Sequence, residues 1–204
     1  MSYKLIYFNS KALGEPIRFL LAYGDIEYED FRIDFLKQWP TWNKESFPFH
    51  QIPILEVDGL QMNQSLSICR FLAKRVGLVG SNDIEDYLID SMIDNINDFR
   101  WNFAIMHYET DPSIQEIKRK ELHDKTIPFY LEKLEKIAKD GNGHFALKRL
   151  TWVDVYFAGV IDYLNFMAKK DLLTNCPNLQ KVVDNVLALE KIKKWVEKRP
   201  KTIS

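Results

Sequence analysis

The sequence predicts a two-part fold: an α/β domain of about 77 residues followed by an all-α domain of about 120. Three observations predict it. The local hydrophobic period changes repeatedly up to Gly77. An Asp58-Gly59 pair separates two short β-rich runs. Beyond Gly77 the strand signals stop and an apolar stripe continues at helical spacing.

Tyr3 to Phe8 is a β-rich run, and Lys11-Ala12-Leu13-Gly14 reads as a turn. The next helix has Leu13, Ile17, Leu20 and Leu21 on one face. Pro16 lies in its first turn, where a missing N–H costs least, and Gly24 is its stop. Phe31-Arg32-Ile33 alternates like a strand. Ile54-Leu55-Glu56-Val57, the turn Asp58-Gly59 and Leu60-Gln61-Met62 form a hairpin. Ser65 is placed to cap a helix with Leu66, Cys69, Leu72, Ala73 and Val76 on one face, and Gly77 to end it. This βαβ-ββα order makes a mixed four-stranded sheet with helices on its faces. The expected boundaries are residues 1–77, a linker at 78–83, and a helical domain at 84–204.

In the second part Ile89, Met92, Ile96, Phe99, Phe103 and Met106 are spaced by 3, 4, 3, 4 and 3, one face of a long helix. A second helix covers about Ser113 to Lys139, interrupted at Pro128. Asp140-Gly141-Asn142-Gly143 is a loop. Thr151-Trp152-Val153-Asp154 has the form of a capping box, with Leu150 and Val155 as its hydrophobic staple. Segments around Leu179–Leu187 and Glu190–Lys198 complete the bundle.

With 28 Lys+Arg against 29 Asp+Glu, the net charge of −1 supplies no field to gather nucleic acid or anionic lipid. No run approaches the roughly 18 apolar residues of a membrane span. The start, Met1-Ser2-Tyr3-Lys4, has no signal-peptide pattern, and Cys69 and Cys176 form neither a disulfide framework nor a CxxC motif. A cytoplasmic protein is expected, without nucleic-acid or membrane partners. The four histidines are scattered, no phosphate-cradling or serine-hydrolase motif occurs, and no metal is expected. What remains is a set of polar groups at strand ends and helix starts: Tyr7, Trp39, Lys44, Gln51-Ile52-Pro53 and Gln64-Ser65.

Tyr7-Phe8-Asn9, Gly14-Glu15-Pro16-Ile17-Arg18, Trp39-Pro40, the run from Pro48-Phe49 through Ile52-Pro53 to Asp58-Gly59, Gln64-Ser65, Asn97-Asp98-Phe99 and Leu150-Thr151-Trp152-Val153-Asp154 occur in order. In these motifs the chain resembles the sigma-class glutathione S-transferases from Tyr3 to about Pro200, the arthropod members most strongly. The resemblance extends to the haematopoietic glutathione-dependent prostaglandin D synthases. It implies a thioredoxin-like domain joined to an all-helical domain, assembled as a homodimer that activates glutathione as a co-substrate. The reaction implied is conjugation to small electrophilic or lipid-derived substrates, with lipid hydroperoxide reduction as a side activity. Prostaglandin D synthesis, or a low-activity structural relative, is the alternative. A disulfide oxidoreductase on the same sheet is disfavoured, because the segment directly after the first strand lacks any cysteine.

Each residue has a plain reading beside the functional one. Tyr7 is a strand aromatic by default. Its phenol, protonated at neutral pH, is also suited to donate a hydrogen bond to a thiolate, and the resemblance places that role on it. Pro53 is either a turn proline or, as the resemblance implies, a cis bond that lets the Ile52 backbone pair with the glutathione peptide. Gln64 and Ser65 form a helix N-terminus, which either is simply capped or receives a ligand carboxylate. Trp39 and Lys44 are loop anchors or, as the resemblance implies, contacts to the glycine end of glutathione; it also implies that Gln51 binds glutathione. Asp94 and Asp98 share a helix face with Trp101, Ile105 and Tyr108, which argues that part of this face is covered. The resemblance sends Asp98 across a dimer interface to the γ-glutamyl amine of the partner subunit's glutathione. It places the electrophile pocket at Phe8, Trp101, Phe103, Ala104 and Tyr108.

Three positions depart from the family pattern. His50 and Lys148 stand where glycine is common, and Leu13 stands where the vertebrate synthases carry arginine, which favours a general transferase.

Overall fold

A computed structural model describes residues 1–202; Ile203 and Ser204, the end of the expected helical domain, lie outside the described residues. Strand β1 (Tyr3–Phe8) pairs in parallel with β2 (Glu29–Ile33), Tyr7 lying opposite Arg32. Strands β3 (Ile54–Val57) and β4 (Leu60–Asn63) complete the sheet in the order β2-β1-β3-β4, antiparallel from β1 outward. Asp58 and Gly59 turn the hairpin with φ of 49° and 88°, the left-handed pair that a two-residue turn demands.

Alternation sends Leu5, Tyr7, Leu55 and Val57 into the core shared with α1 (Glu15–Tyr23) and α2 (Ser65–Val76). Ile6, Ile33 and Ile54 face the other way. On that side the expectation of a covering helix fails. The cover is three single 3-10 turns between Trp39 and His50, which lay Trp39, Trp42 and Phe47 over the sheet. Pro40 and Pro48 each open such a turn, and a longer helix through either would lose a backbone hydrogen bond.

In the helical half, α3 (Asp83–His107) buries Ile89, Ile93, Ile96, Phe99, Phe103 and Met106, with Ile93 taking the place expected of the half-buried Met92. Asp111 caps α4 (Pro112–Glu121), two residues before the start expected at Ser113. The break expected at Pro128 lies just ahead of it, in a π-helical turn at Leu122–Thr126 that leads into α5 (Ile127–Asp140). Then follow α6 (Trp152–Ala168), α7 (Pro177–Leu187) and α8 (Glu190–Lys198).

Helix α6 is apolar almost all round and packs against α1, α3 and α7. A Cβ added at Gly159 of α6 would stand 2.8 Å from the backbone of Pro16 in α1, so only glycine permits this approach. The connector between α2 and α3 is docked as well: the Leu78 carbonyl accepts the Trp152 N–H at 3.0 Å.

Candidate active site

Strand β1 delivers Tyr7 to the point where the sheet meets the turn before α1. The ring is buried, and its Oη accepts the Leu13 backbone N–H at 3.2 Å. With that lone pair engaged, the phenolic proton is free to point elsewhere. Burial pushes the phenol up to about 12, although the Leu13 N–H and the charges of Arg18 and Arg100 act to lower it. The group is therefore a standing hydrogen-bond donor at physiological pH, set beside two buried guanidinium groups. Gly14 packs on the ring edge. A Cβ there would lie 2.5 Å from the Tyr7 Cδ1.

Next to this turn is a cleft of about 620 Å³, a size typical of small-molecule sites, between the first domain and α3. Gln51, Ile52, Pro53, Gln64, Ser65 and Trp101 all line it, together with Leu13. The Ile52-Pro53 bond is cis, and Ile52 lies ahead of the β3 ladder, which begins at Ile54. Ser65, expected as the cap of α2, is its first helical residue. Gln64 holds the cap position at φ 67°, and no side chain caps the helix. The first-turn N–H groups of α2 are thus left for a ligand anion, with Ser65 and Ser67 beside them in the cleft.

Asp94, Asn97, Arg70 and Arg100 also line the cleft, and none of them is among the site residues expected from the sequence. The helical phase of Asp94 and Asn97 relative to Trp101 was the available signal. Arg100, buried and bonded to the Asn97 Oδ1 at 2.9 Å, looks like a surface charge in sequence.

Trp39 and Lys44 lie together, with the ammonium 5.1 Å from the Trp39 ring, and Trp39 meets Phe8 edge-on at 5.2 Å. Phe8 in turn contacts Tyr7 at 5.4 Å. Asp98 is exposed on α3, outside the cleft lining. Of the remaining pocket residues, Trp101 and Tyr108 are exposed and Ala104 is buried. The Tyr108 hydroxyl lies 2.8 Å from that of Tyr163. Phe103 is a correction. It is fully buried against Phe99, one turn behind the surface, and belongs to the core.

The departures acquire physical reasons. His50 and Lys148 have φ of 54° and 50°, the region glycine enters most easily. The His50 ring turns out to Glu45, with Nε2 3.2 Å from its carboxylate, away from the cleft. At position 13 the contact to Tyr7 comes from the backbone, so it survives the change of side chain.

A second groove, about 690 Å³, lies between the end of α1, the start of β2 and α8. Its Lys191 and Lys194 are already paired with Asp25 and Glu190, the latter the first residue of α8. Among the described residues, no group of three or more His, Cys, Asp or Glu is placed to hold a metal.

Comparison with known proteins agrees with this geometry. Residues 1–74 match the family model for the glutathione S-transferase N-terminal domain, and residues 97–199 match one for the C-terminal domain. The chain is 55% identical over 201 residues to glutathione S-transferase S1 of Drosophila melanogaster, covering 98% of this chain and 80% of that protein. It is 38% identical over 204 residues to the hematopoietic prostaglandin D synthase of Gallus gallus, covering 98% of each. Among solved structures, prostaglandin synthase D of Nilaparvata lugens superposes with a TM-score of 0.94 at 41% identity, over 99% of this chain and 100% of that one. A glutathione S-transferase of the hookworm Necator americanus, described as monomeric, superposes with a TM-score of 0.82 at 29% identity, over 99% of each. The four-stranded mixed sheet, the helical half and these matches over nearly the whole chain place the protein in the glutathione S-transferase family.

Proposed function

We propose that the cleft holds glutathione, that Tyr7 stabilises its sulfur as a thiolate, and that the thiolate attacks an electrophilic carbon. One observation carries the reading. The buried, proton-retaining Tyr7 phenol is bonded to Leu13, and Leu13 lines the same cleft as the uncapped N-terminus of α2 and the Ile52 backbone that lies ahead of the β3 ladder. A free thiol near ~8.5 is only a few per cent ionised at pH 7, and lowering its pKa by about two units takes about 2.7 kcal/mol. A charge-assisted hydrogen bond from Tyr7 supplies about 1.5–3 kcal/mol, which is the size required. The thiol proton leaves to solvent, the C–S bond forms, and the leaving group departs with its electron pair; no covalent enzyme intermediate is required.

Residues 1–77 would hold glutathione: Ile52 by its backbone, Gln64 and Ser65 at the carboxylate end, Trp39, Lys44 and Gln51 at the glycine end. Residues 84–204, reached through 78–83, would supply the electrophile wall from Trp101, Ala104 and Tyr108, facing Phe8. A cytoplasmic sigma-class homodimer fits the chain. Large apolar side chains stand exposed on α3 and α5 (Ile84, Tyr87, Leu88, Phe129), and exposed Asp98 is free to reach a partner's glutathione amine. The likeness to prostaglandin D synthases makes isomerisation of a prostaglandin endoperoxide the second reading.

The test is glutathione-dependent turnover of chlorodinitrobenzene, cumene hydroperoxide, an unsaturated aldehyde and prostaglandin H2. Tyr7→Phe should lower kcat/KM about tenfold to a hundredfold, in line with the loss of one charge-assisted donor. Wild-type rates no faster than the uncatalysed reactions would sink the enzyme reading. Light scattering should return twice the 24.1 kDa chain mass.

A further inference from the structure

The turn that orients the Tyr7 phenol is not held by its own residues alone. It spans Asn9 to Glu15, includes Ala12 at φ 33°, and presents the Leu13 N–H to Tyr7 and Gly14 to the ring edge. A left-handed alanine persists only where the surroundings impose it.

The imposing contacts are charge-assisted hydrogen bonds, most nearly buried at Glu15 and more exposed at Lys11 and Asn9. At the start of the turn, Arg18 Nη1 donates to the Ser10 carbonyl at 2.7 Å, and Arg32 Nη1 donates to the Asn9 side chain at 3.3 Å. Asp30 joins these two arginines, accepting from Arg18 Nε at 3.1 Å and Arg32 Nε at 2.8 Å. Midway, Lys11 reaches Asp162 of α6 at 2.8 Å. At the end of the turn is Glu15, 1% exposed. One of its oxygens accepts Trp195 Nε1 and Arg199 Nη1, each at 2.8 Å, and the other faces Arg18 at 3.2 Å. Trp195 lies in α8 and Arg199 is its C-cap, 180 and more positions from Glu15.

We propose that Trp195 and Arg199 are positioning residues for the reaction: by clamping Glu15 they fix the Leu13 N–H, which aims the Tyr7 phenol at the glutathione sulfur. The proposal rests on the glutathione reading above. The last helix acts through three links, Glu15 to the turn, Leu13 to Tyr7, and Tyr7 to sulfur, and touches no substrate itself. Ordinary packing of α8 is a different claim, because packing predicts a loss of stability and no change in the ionisation of the bound thiol.

The experiment measures thiolate absorbance of the enzyme–glutathione complex against pH, for wild type, Trp195→Phe and Arg199→Gln, and repeats both changes in a Tyr7→Phe background. Trp195→Phe keeps an aromatic ring and removes the N–H. With Tyr7 present, each change should raise the bound thiol pKa by roughly half a unit to one unit. Turnover of chlorodinitrobenzene below that pKa should then fall roughly threefold to tenfold, while the deficit shrinks at alkaline pH, where the thiol ionises unaided. In the Tyr7→Phe background the same changes should move the pKa far less. An unchanged thiol pKa, or an equal shift with and without Tyr7, would overturn the positioning role. A wild-type complex without a thiolate band at neutral pH would instead overturn the glutathione reading, and the inference with it.

Discussion

Two helix N-termini of this chain are built in opposite ways. At α6, the Asp154 carboxylate is fully buried; it accepts the Thr151 N–H at 2.9 Å and the Phe145 N–H at 2.8 Å, closing the capping box on Thr151. At α2, the cap position is held by Gln64 in a left-handed conformation, no side chain bonds back, and the free N–H groups open onto the cleft. Both ends carry the same partial positive charge. The first satisfies it internally, inside the core; the second leaves it for an anion. The contrast separates a residue tied into the fold, Thr151, from one left open to the cleft, Ser65, although in sequence both are hydroxyl residues at a helix start.

The contrast yields three predictions, and the largest effect belongs to the closed end. Asp154→Ala strands two buried N–H groups and should cost about 3 kcal/mol or more, read as a lower urea midpoint, with KM for glutathione unchanged in the folded fraction. Ser65→Ala should do the reverse. KM for glutathione should rise roughly fivefold, about 1 kcal/mol, while Tm stays within about 2 °C of wild type. If Ser65→Ala unfolded the protein, or Asp154→Ala raised KM, the division between the two ends would fail. The smallest effect is in the loop that leads to the capping box. Lys148 is exposed at φ 50°, so Lys148→Gly should stabilise by about 0.5–1 kcal/mol, visible as a rise in Tm without a change in kcat.

Local signals were readable where one residue type answers one backbone demand. Asp58-Gly59 marked the hairpin, Thr151 with Asp154 marked the capping box, and Gly77 closed α2 in the left-handed region. Helical spacing found most of the α3 stripe and erred at Met92, since neighbouring apolar positions compete for one face and packing decides between them. Tyr7 and the Gln51-to-Ser65 part of the cleft were legible through ordered motifs. The Leu13 contact had no signature because a backbone N–H donates it. The ties from Glu15 to Trp195 and Arg199 were equally silent, because nothing local in a charged residue says which distant partner will bury it. The aromatic cover between Trp39 and His50 escaped for a third reason: single 3-10 turns are too short to impose a period.

The seam where Gly159 meets Pro16 bears on how such a chain can be recombined. Its two halves match separate family models and look exchangeable. Yet α1 and α6 touch backbone to backbone there, and the hydrophobic core runs unbroken from β1 to α8. A chimaera joining this first half to another relative's helices would need glycine at the position of Gly159, or α1 would be levered away and the Tyr7 turn with it. Modularity in this protein therefore ends at the sequence. Heat or denaturant should meet one cooperative body, and new specificities are better sought by changing the cleft walls than by trading whole halves.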